Sequence, residues 1–320
     1  MIFPFLLLLA GFAILIKGAD FLVSGASSAA KTFGVSNLAI GLTVVAFGTS
    51  TPELIVSLMA AMDGKADASF GNVIGSNNFN MLFILGVAGL ICPLTVQRNT
   101  VKFEVPLSLL AAGFVFLLVN DTLIYGSAKS LLSRPDSAIL LLCFFGFLLY
   151  IYRTMKTSEP NGENGTIRIY SFPVAAGMVI GGLAMLVGGG KLVVDNAILL
   201  AQEFGLSEKI IGLTILAAGT SLPELATSAM AAYRKNADIA IGNVVGSNIF
   251  NFFFILPVTG FVSPIAYNPS MNFDLYVLGG ATVALMIFMF TLKQRRLDRP
   301  EAALFLGAYV AYTLMLVGME

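Results

Sequence analysis

GLTVVAFGTSTPE at residues 41–53 and GNVIGSNNFN at 71–80 return, little altered, as GLTILAAGTSLPE at 212–224 and GNVVGSNIFN at 242–251. The offset is 171 residues in both blocks, so the chain between them is counted out identically in the two copies. Duplication reaches beyond the motifs: Phe33-Gly34 matches Phe204-Gly205, Asp67 matches Asp238, and Pro93 matches Pro264. A whole half of the chain is repeated, and each half carries one glutamate, Glu53 or Glu224, inside an apolar run.

The solvent for which those halves are built follows from composition. Of 320 residues, 57% are apolar and 11% charged, with a mean hydropathy of +0.89, far from the soluble globular range. Ten apolar stretches approach the ~20 residues needed to cross a ~30 Å hydrocarbon core: near 2–22, 36–61, 69–91, 104–120, 135–153, 172–193, 207–232, 240–262, 272–292 and 301–318. The first resembles a secretory signal in length. It lacks a basic leading region and aligns with the internal segment at 172–187, so it is counted as a helix of the mature protein.

Five spans per copy is an odd number, so the second copy enters the membrane upside down relative to the first. The expected fold is an all-α integral membrane protein of ten transmembrane helices arranged as two inverted five-helix repeats. A pseudo-two-fold axis in the membrane plane then brings equivalent residues together near the midplane. Residues 1–156 form the first repeat, 157–171 a polar cytoplasmic linker, and 172–320 the second repeat of a single transport domain. With both termini outside, inward loops hold twelve Lys and Arg against five in outward loops, the bias of a cell-membrane protein in that orientation.

Absences narrow the chemistry. The chain has no histidine, which removes imidazole metal sites, histidine proton relays and serine–histidine hydrolysis. Cys92 and Cys143 have no ligand spacing and read as small buried residues. Gly188-Gly189-Gly190-Lys191 lacks the spacing of a phosphate loop. Net charge is zero; no nucleic-acid partner and no cofactor is expected.

Glu53 and Glu224 read as the only carboxylates buried midway along apolar segments. A charged acid there costs at least a few kcal/mol and needs a partner facing it. No lysine or arginine lies deep enough, leaving a bound cation or protons; two protonated glutamates bonded to each other are the bland alternative. Pro52 and Pro223 precede the acids and remove a helical N–H, while Gly48 and Gly219 loosen the helix, so carbonyls at 46–49 and 217–220 are candidates to turn inward. Hydroxyls of Thr49, Ser50, Thr220 and Ser221 add neutral oxygens, with Ser57 and Ser228 one turn further. Asn72, Ser76 and Asn80 recur every fourth residue on one helical face, as do Asn243, Ser247 and Asn251. Gly71 and Gly75, with Gly242 and Gly246, form a small-xxx-small packing seam, and Asn77 and Asn248 are read as bridges between helices. An all-oxygen set with two charges suits one Ca²⁺, two Na⁺ or two protons.

At these residues the sequence resembles the cation/calcium exchanger superfamily, whose inverted repeats carry segments like GTSTPE and GNVIGSNNFN. The resemblance covers essentially the whole chain. It implies that Glu53 and Glu224 coordinate Ca²⁺ and Na⁺. It also implies that Thr49, Ser50, Ser76, Asn80, Thr220, Ser221, Ser247 and Asn251 contribute side-chain oxygens, and Ala46 and Ala217 carbonyls. Some relatives, including potassium-dependent ones, carry Asp where this chain has Asn251, which speaks against potassium co-transport. The acidic motif of the proton/calcium branch is absent. The expectation is therefore a Ca²⁺/Na⁺ antiporter rather than an enzyme, working by alternating access in the lipid bilayer, with proton/calcium exchange and a cation channel as the rivals.

Overall fold

A backbone immersed in lipid must satisfy its own hydrogen bonds, so long apolar runs fold as helices. The computed structural model describes residues 2–97, 100–127, 129–154, 169–204, 217–291 and 295–319. Most of the expected linker (157–168) and the opening part of the seventh expected span (207–216) lie outside the described residues. So do Arg98, Lys156, Arg168, Lys209 and Lys293 of the charge count.

In chain order the principal helices are α1 (Ile2–Phe33), α2 (Asn37–Thr49), α3 (Thr51–Met62), α4 (Ala66–Ile91), α5 (Thr100–Val119), α6 (Arg134–Thr154), α7 (Phe172–Glu203), α8 (Leu222–Tyr233), α9 (Ala237–Val262), α10 (Pro269–Phe288) and α11 (Arg299–Met319). Seven of them are long and apolar enough to cross a membrane, and α2 with α3, bent by 45°, makes an eighth candidate. Two-residue antiparallel pairings tie the loops of one half to the other. β1 (Leu94–Thr95) pairs with β4 (Arg296–Leu297), and β2 (Leu131–Leu132) with β3 (Ile265–Ala266).

Burial separates the helices into two kinds. In α9, 94% of the most apolar window is buried inside the protein, and in α4 72%, against 33% for α1 and 22% for α7. The motif-bearing helices are the core, and the outer ones present their apolar side chains to lipid. Both core helices loosen into a π-helical turn midway, Phe79–Ile84 in α4 and Asn251–Ile255 in α9.

Helices α1 and α7 run past the expected ends at 22 and 193. Each has 32 residues, about 48 Å at 1.5 Å per residue, longer than a bilayer core. Small residues let them lie against each other. A Cβ added at Gly11, Gly18 or Gly25 would come within 3.1, 3.0 and 2.8 Å of the carbonyl oxygens of Gly189, Gly182 and Ala175, respectively. Partners descend in α7 as they ascend in α1, so the two helices are antiparallel.

Gly182→Val places a methyl-bearing carbon where a Cβ already meets the Leu22 nitrogen at 2.7 Å. Overpacking of this kind costs about 1–3 kcal/mol, and the variant is expected to melt at lower temperature in detergent. Gly177→Val, in the same helix with nothing within 4 Å, is the control expected to melt with the parent.

Candidate ion-binding site

The site is built on two helix breaks. Helix α2 ends at Thr49 and α3 starts at Thr51, with Ser50 between them at φ −82° and ψ 8°. Pro52 occupies the first turn of α3, where a missing N–H costs no helical bond, and Glu53 lies in the same turn. The second copy repeats the arrangement: Ser221 has φ −89° and ψ 7°, and α8 opens with Pro223 and Glu224 in its first turn. Each acid sits where unpaired helical N–H groups favour negative charge. The carbonyl end of the preceding helix meets it at the break, a polarity that suits a cation.

Glycine does not make the break. The Ala46 carbonyl still accepts the Ser50 N–H at 3.0 Å and lies 3.3 Å from Thr49 Oγ1, so the helix is intact to Thr49. Gly48 and Gly219 instead admit α7: a Cβ there would lie 2.5 Å from Leu183 Cδ2 and 2.6 Å from Val194 Cγ2. Ala217 belongs to the single helical turn Ala217–Gly219 just before the second break.

Serines cross between the copies. Ser50 Oγ donates to Glu224 Oε1 at 2.8 Å, and Ser221 Oγ donates to Glu53 Oε1 at 3.0 Å. Ser50 Oγ also lies 2.9 Å from Ser247 Oγ. Thr49 contacts Glu224 and Thr220 contacts Glu53, and the two carboxylates interact electrostatically. Both glutamates are 1% exposed.

The remaining oxygens are the informative ones. Glu53 Oε2, Glu224 Oε2, Ser76 Oγ, Asn80 Oδ1 and Asn251 Oδ1 are all buried without a hydrogen-bond partner. An unpaired buried polar atom costs about 1–3 kcal/mol, more when charged, so five on the repeated motifs favour a further ligand there; Glu104 Oε2, Asn78 Oδ1 and Thr227 Oγ1 are also buried without a partner. The donors in the motif set are hard oxygens. Among the described residues no group of three or more His, Cys, Asp or Glu converges, so the charge in this set is that of Glu53 and Glu224 alone.

Two residues read only as bridges explain why the asparagine oxygens are left over. Asn80 Nδ2 donates to Asn248 Oδ1 at 3.1 Å, and Asn251 Nδ2 donates to Asn77 Oδ1 at 2.7 Å. Asn77 and Asn248 in turn donate to each other's backbone carbonyl, at 3.4 and 3.3 Å. With the NH₂ groups engaged, Oδ1 of Asn80 and Asn251 is held apart for another ligand. The π-helical turns add one residue at these same positions, a local widening common at functional sites.

Asn72 and Asn243 belong to the framework. Their amides donate to the Glu53 and Glu224 carbonyls at 3.2 and 3.3 Å and to Ser57 and Ser228 at 2.9 Å each. Their Oδ1 atoms face Thr220 at 3.3 Å and Thr49 at 3.1 Å in the opposite copy. Ser57 and Ser228 therefore anchor asparagines.

Glu53 and Glu224 are not the only buried acids. Glu104, in α5, is 2% exposed and accepts the Tyr150 hydroxyl at 2.6 Å, and Glu301, in the first turn of α11, is 3% exposed and accepts the Asp298 N–H at 2.8 Å. Asp274 in α10 is half-buried and accepts the Tyr312 hydroxyl at 2.6 Å. All three stand near the starts of spans, where sequence places them at the interface.

The family model described as sodium/calcium exchanger protein matches residues 3–153 and 174–318. The sodium/calcium exchanger MaX1 of Methanosarcina acetivorans is 34% identical over 98% of both chains. The putative antiporter CaxA of Alkalimonas amylolytica is 37% identical over 96% of this chain and 97% of its own. Among solved structures, the sodium-calcium exchanger NCX_Mj, soaked with Na⁺ and Ca²⁺, superposes with a TM-score of 0.80 at 31% identity, covering 97% of each chain. The chain belongs to the sodium/calcium exchanger family. It is a multi-span membrane protein of cation/Ca²⁺ exchange, a transporter rather than an enzyme.

Asn77→Ala and Asn248→Ala each free an amide that now holds a neighbouring asparagine in place. Each loses roughly one hydrogen bond's worth of alignment, and the half-saturating Ca²⁺ concentration for exchange is expected to rise about tenfold. Calcium titration of exchange in vesicles reads this out; an unchanged value would leave the two residues as packing groups only.

Proposed function

We propose that the protein exchanges Ca²⁺ for Na⁺ at one midplane site. Glu53 and Glu224 supply the charge there. Thr49, Ser50, Ser76, Asn80, Thr220, Ser221, Ser247 and Asn251 supply neutral side-chain oxygens, and Ala46 and Ala217 carbonyls. The observation that carries this reading is the set of five unpartnered buried oxygens, two of them on carboxylates that are each held by a serine of the opposite copy. Calcium takes 6–8 oxygens in flexible geometry, and the full set meets that number without a thiolate or imidazole. Two carboxylates balance one Ca²⁺ or two Na⁺, not both at once, so competition for shared ligands is exchange. Relatives that are named sodium/calcium exchangers and share this chain's full length support the same choice.

The architecture proposed with it is ten spans in two inverted five-helix repeats, residues 1–156 and 172–320, joined by a cytoplasmic linker at 157–171, both termini outside the cell membrane. The antiparallel run of α1 against α7 and the reciprocal hydrogen bonds between copies support the inversion. The same helix pair supports alternating access. Gly11, Gly18, Gly182 and Gly189 bring its two backbones together along their length, so the pair can shift as one unit against the rest while the core helices hold the site.

In vesicles loaded with Na⁺, outward Na⁺ flux is expected to drive ⁴⁵Ca²⁺ uptake, and Glu53→Gln or Glu224→Gln to reduce it at least about a hundredfold. Uptake that survives both substitutions would sink the reading. Uptake driven by a pH gradient without Na⁺ would replace Na⁺ by protons, and flux without any counter-ion would indicate a channel. Each proton bound at the glutamates removes one of the two charges, so the half-saturating Ca²⁺ concentration is expected to rise as pH falls. Calcium titrations at stepped pH and fixed Na⁺ check the sign.

A further inference from the structure

The 171-residue offset makes position 20 the equivalent of 191 and position 234 the equivalent of 63, and the charges at the two ends are reversed: Asp20 and Arg234 against Lys191 and Asp63. The backbone frames agree closely. Asp63 and Arg234 N–H donate to the Met59 and Met230 carbonyls at 2.9 Å each, and Lys65 and Asn236 N–H donate to Ala60 and Ala231 at 2.8 Å each. The residue between is left-handed in both turns, Gly64 at φ 74° and Lys235 at φ 59°. Asp63 therefore stands in the first copy where Arg234 stands in the second.

One end is closed. Arg234 Nη2 pairs with Asp20 Oδ1, and its Nη1 donates to Ser24 Oγ at 2.5 Å. Asn236 Nδ2 donates to Ser27 Oγ at 3.0 Å, and Lys17 Nζ lies 3.4 Å from the other Asp20 oxygen. These contacts fasten α1 to the end of α8. The equivalent groups at the other end do not meet: Lys191 pairs within α7 with Asp195 at 3.2 Å, and Asp63 with Lys65 at 3.9 Å. Packing follows the same inequality, since α1 lies along α8 while no comparable packing joins α7 to α3 among the described residues. The α1/α7 pair leans to one side of a symmetric core.

We infer that Asp20–Arg234 and Lys191–Asp63 are alternating ionic latches, the first made in the conformation described and the second in the one reached when the α1/α7 pair shifts to the other copy. The inference rests on the alternating-access reading above. Reversing both signs preserves the attraction at each end, so each extreme of the shift gains an ion pair that the other lacks. Partly exposed pairs of this kind are worth about a two- to fivefold change in population, enough to tune a balance without freezing it.

Cross-linking tests it. In a chain carrying Cys92→Ser and Cys143→Ser, the pair Asp63→Cys with Lys191→Cys is expected to form a disulfide under oxidation in vesicles that are exchanging Na⁺ and Ca²⁺, measured by loss of maleimide labelling. Adding Arg234→Ala is expected to speed cross-linking about two- to fivefold by releasing the opposite latch. Absence of the disulfide, or a rate indifferent to Arg234→Ala, overturns the latch. In the otherwise unaltered chain, Arg234→Asp alone is expected to slow exchange about fivefold, and Arg234→Asp with Asp20→Arg to restore it to within about twofold; equal loss in both also overturns it. A cysteine-free parent that carries no Na⁺-driven Ca²⁺ flux counts against the transport reading alone, because the cross-linking rates decide the latch separately.

Discussion

Two carboxylates held out of water in the middle of a membrane protein are the constraint that everything else answers. Ionised, each costs several kcal/mol in hydrocarbon unless it is met by hydrogen bonds or a cation. The protein meets half of the need itself. One oxygen of each glutamate accepts a hydrogen bond from a serine of the opposite copy, and the helix N-terminus behind it supplies a favourable field. The second oxygen of each is left over, and on the proposed reading this remainder makes the site a demand for ions rather than a closed hydrogen-bonded pair.

The neutral ligands are reserved by the same economy of hydrogen bonds. Side-chain hydrogen bonds between membrane helices are worth only about 0.6–2 kcal/mol each, so no single one fixes the centre. The asparagines act in reciprocal sets: Asn77 and Asn248 engage the amide nitrogens of Asn251 and Asn80, while Asn72 and Asn243 hold the two helix breaks in register with Thr220 and Thr49. The amide donors of these asparagines have protein partners, and what stays unspent is oxygen of uniform hardness. Such a centre has the chemistry of a hard-cation site, which is the reading proposed above, and not that of a site for an anion or a sulfur-seeking metal.

The class of protein, the duplication and the glutamates were legible in the sequence, because composition, a constant offset and an acid in an apolar run are one-dimensional facts. Which lone pairs remain free was not, since that depends on partners 168 and 174 residues away, as for Ser221 with Glu53 and Asn251 with Asn77. Gly48 shows the limit from the other direction. Beside a Gly-Thr-Ser-Thr-Pro string it reads as a helix breaker, yet its missing side chain makes room for Leu183 while Ser50 and Pro52 set the break. Glu104 was passed over because its cover, Tyr150, comes from a different helix.

A duplicated chain raises a question of balance. If both halves were identical in sequence and environment, a site between them would face its two sides equally, and nothing would distinguish the two extremes of a shift. The described conformation does distinguish them: Thr49 and Asn243 are fully buried, while their equivalents Thr220 and Asn72 are only half-buried. The inequality is not in the ligand chemistry, since those residues are the same in both copies. It lies in where α1 and α7 stand against the core. On the alternating-access reading, a ligand can move the equilibrium between the two positions of this pair only by binding them unequally. Symmetric ligands thus leave the choice of side to peripheral contacts, and the charged ends of the α1/α7 pair are where the two copies have diverged in sign while keeping complementarity.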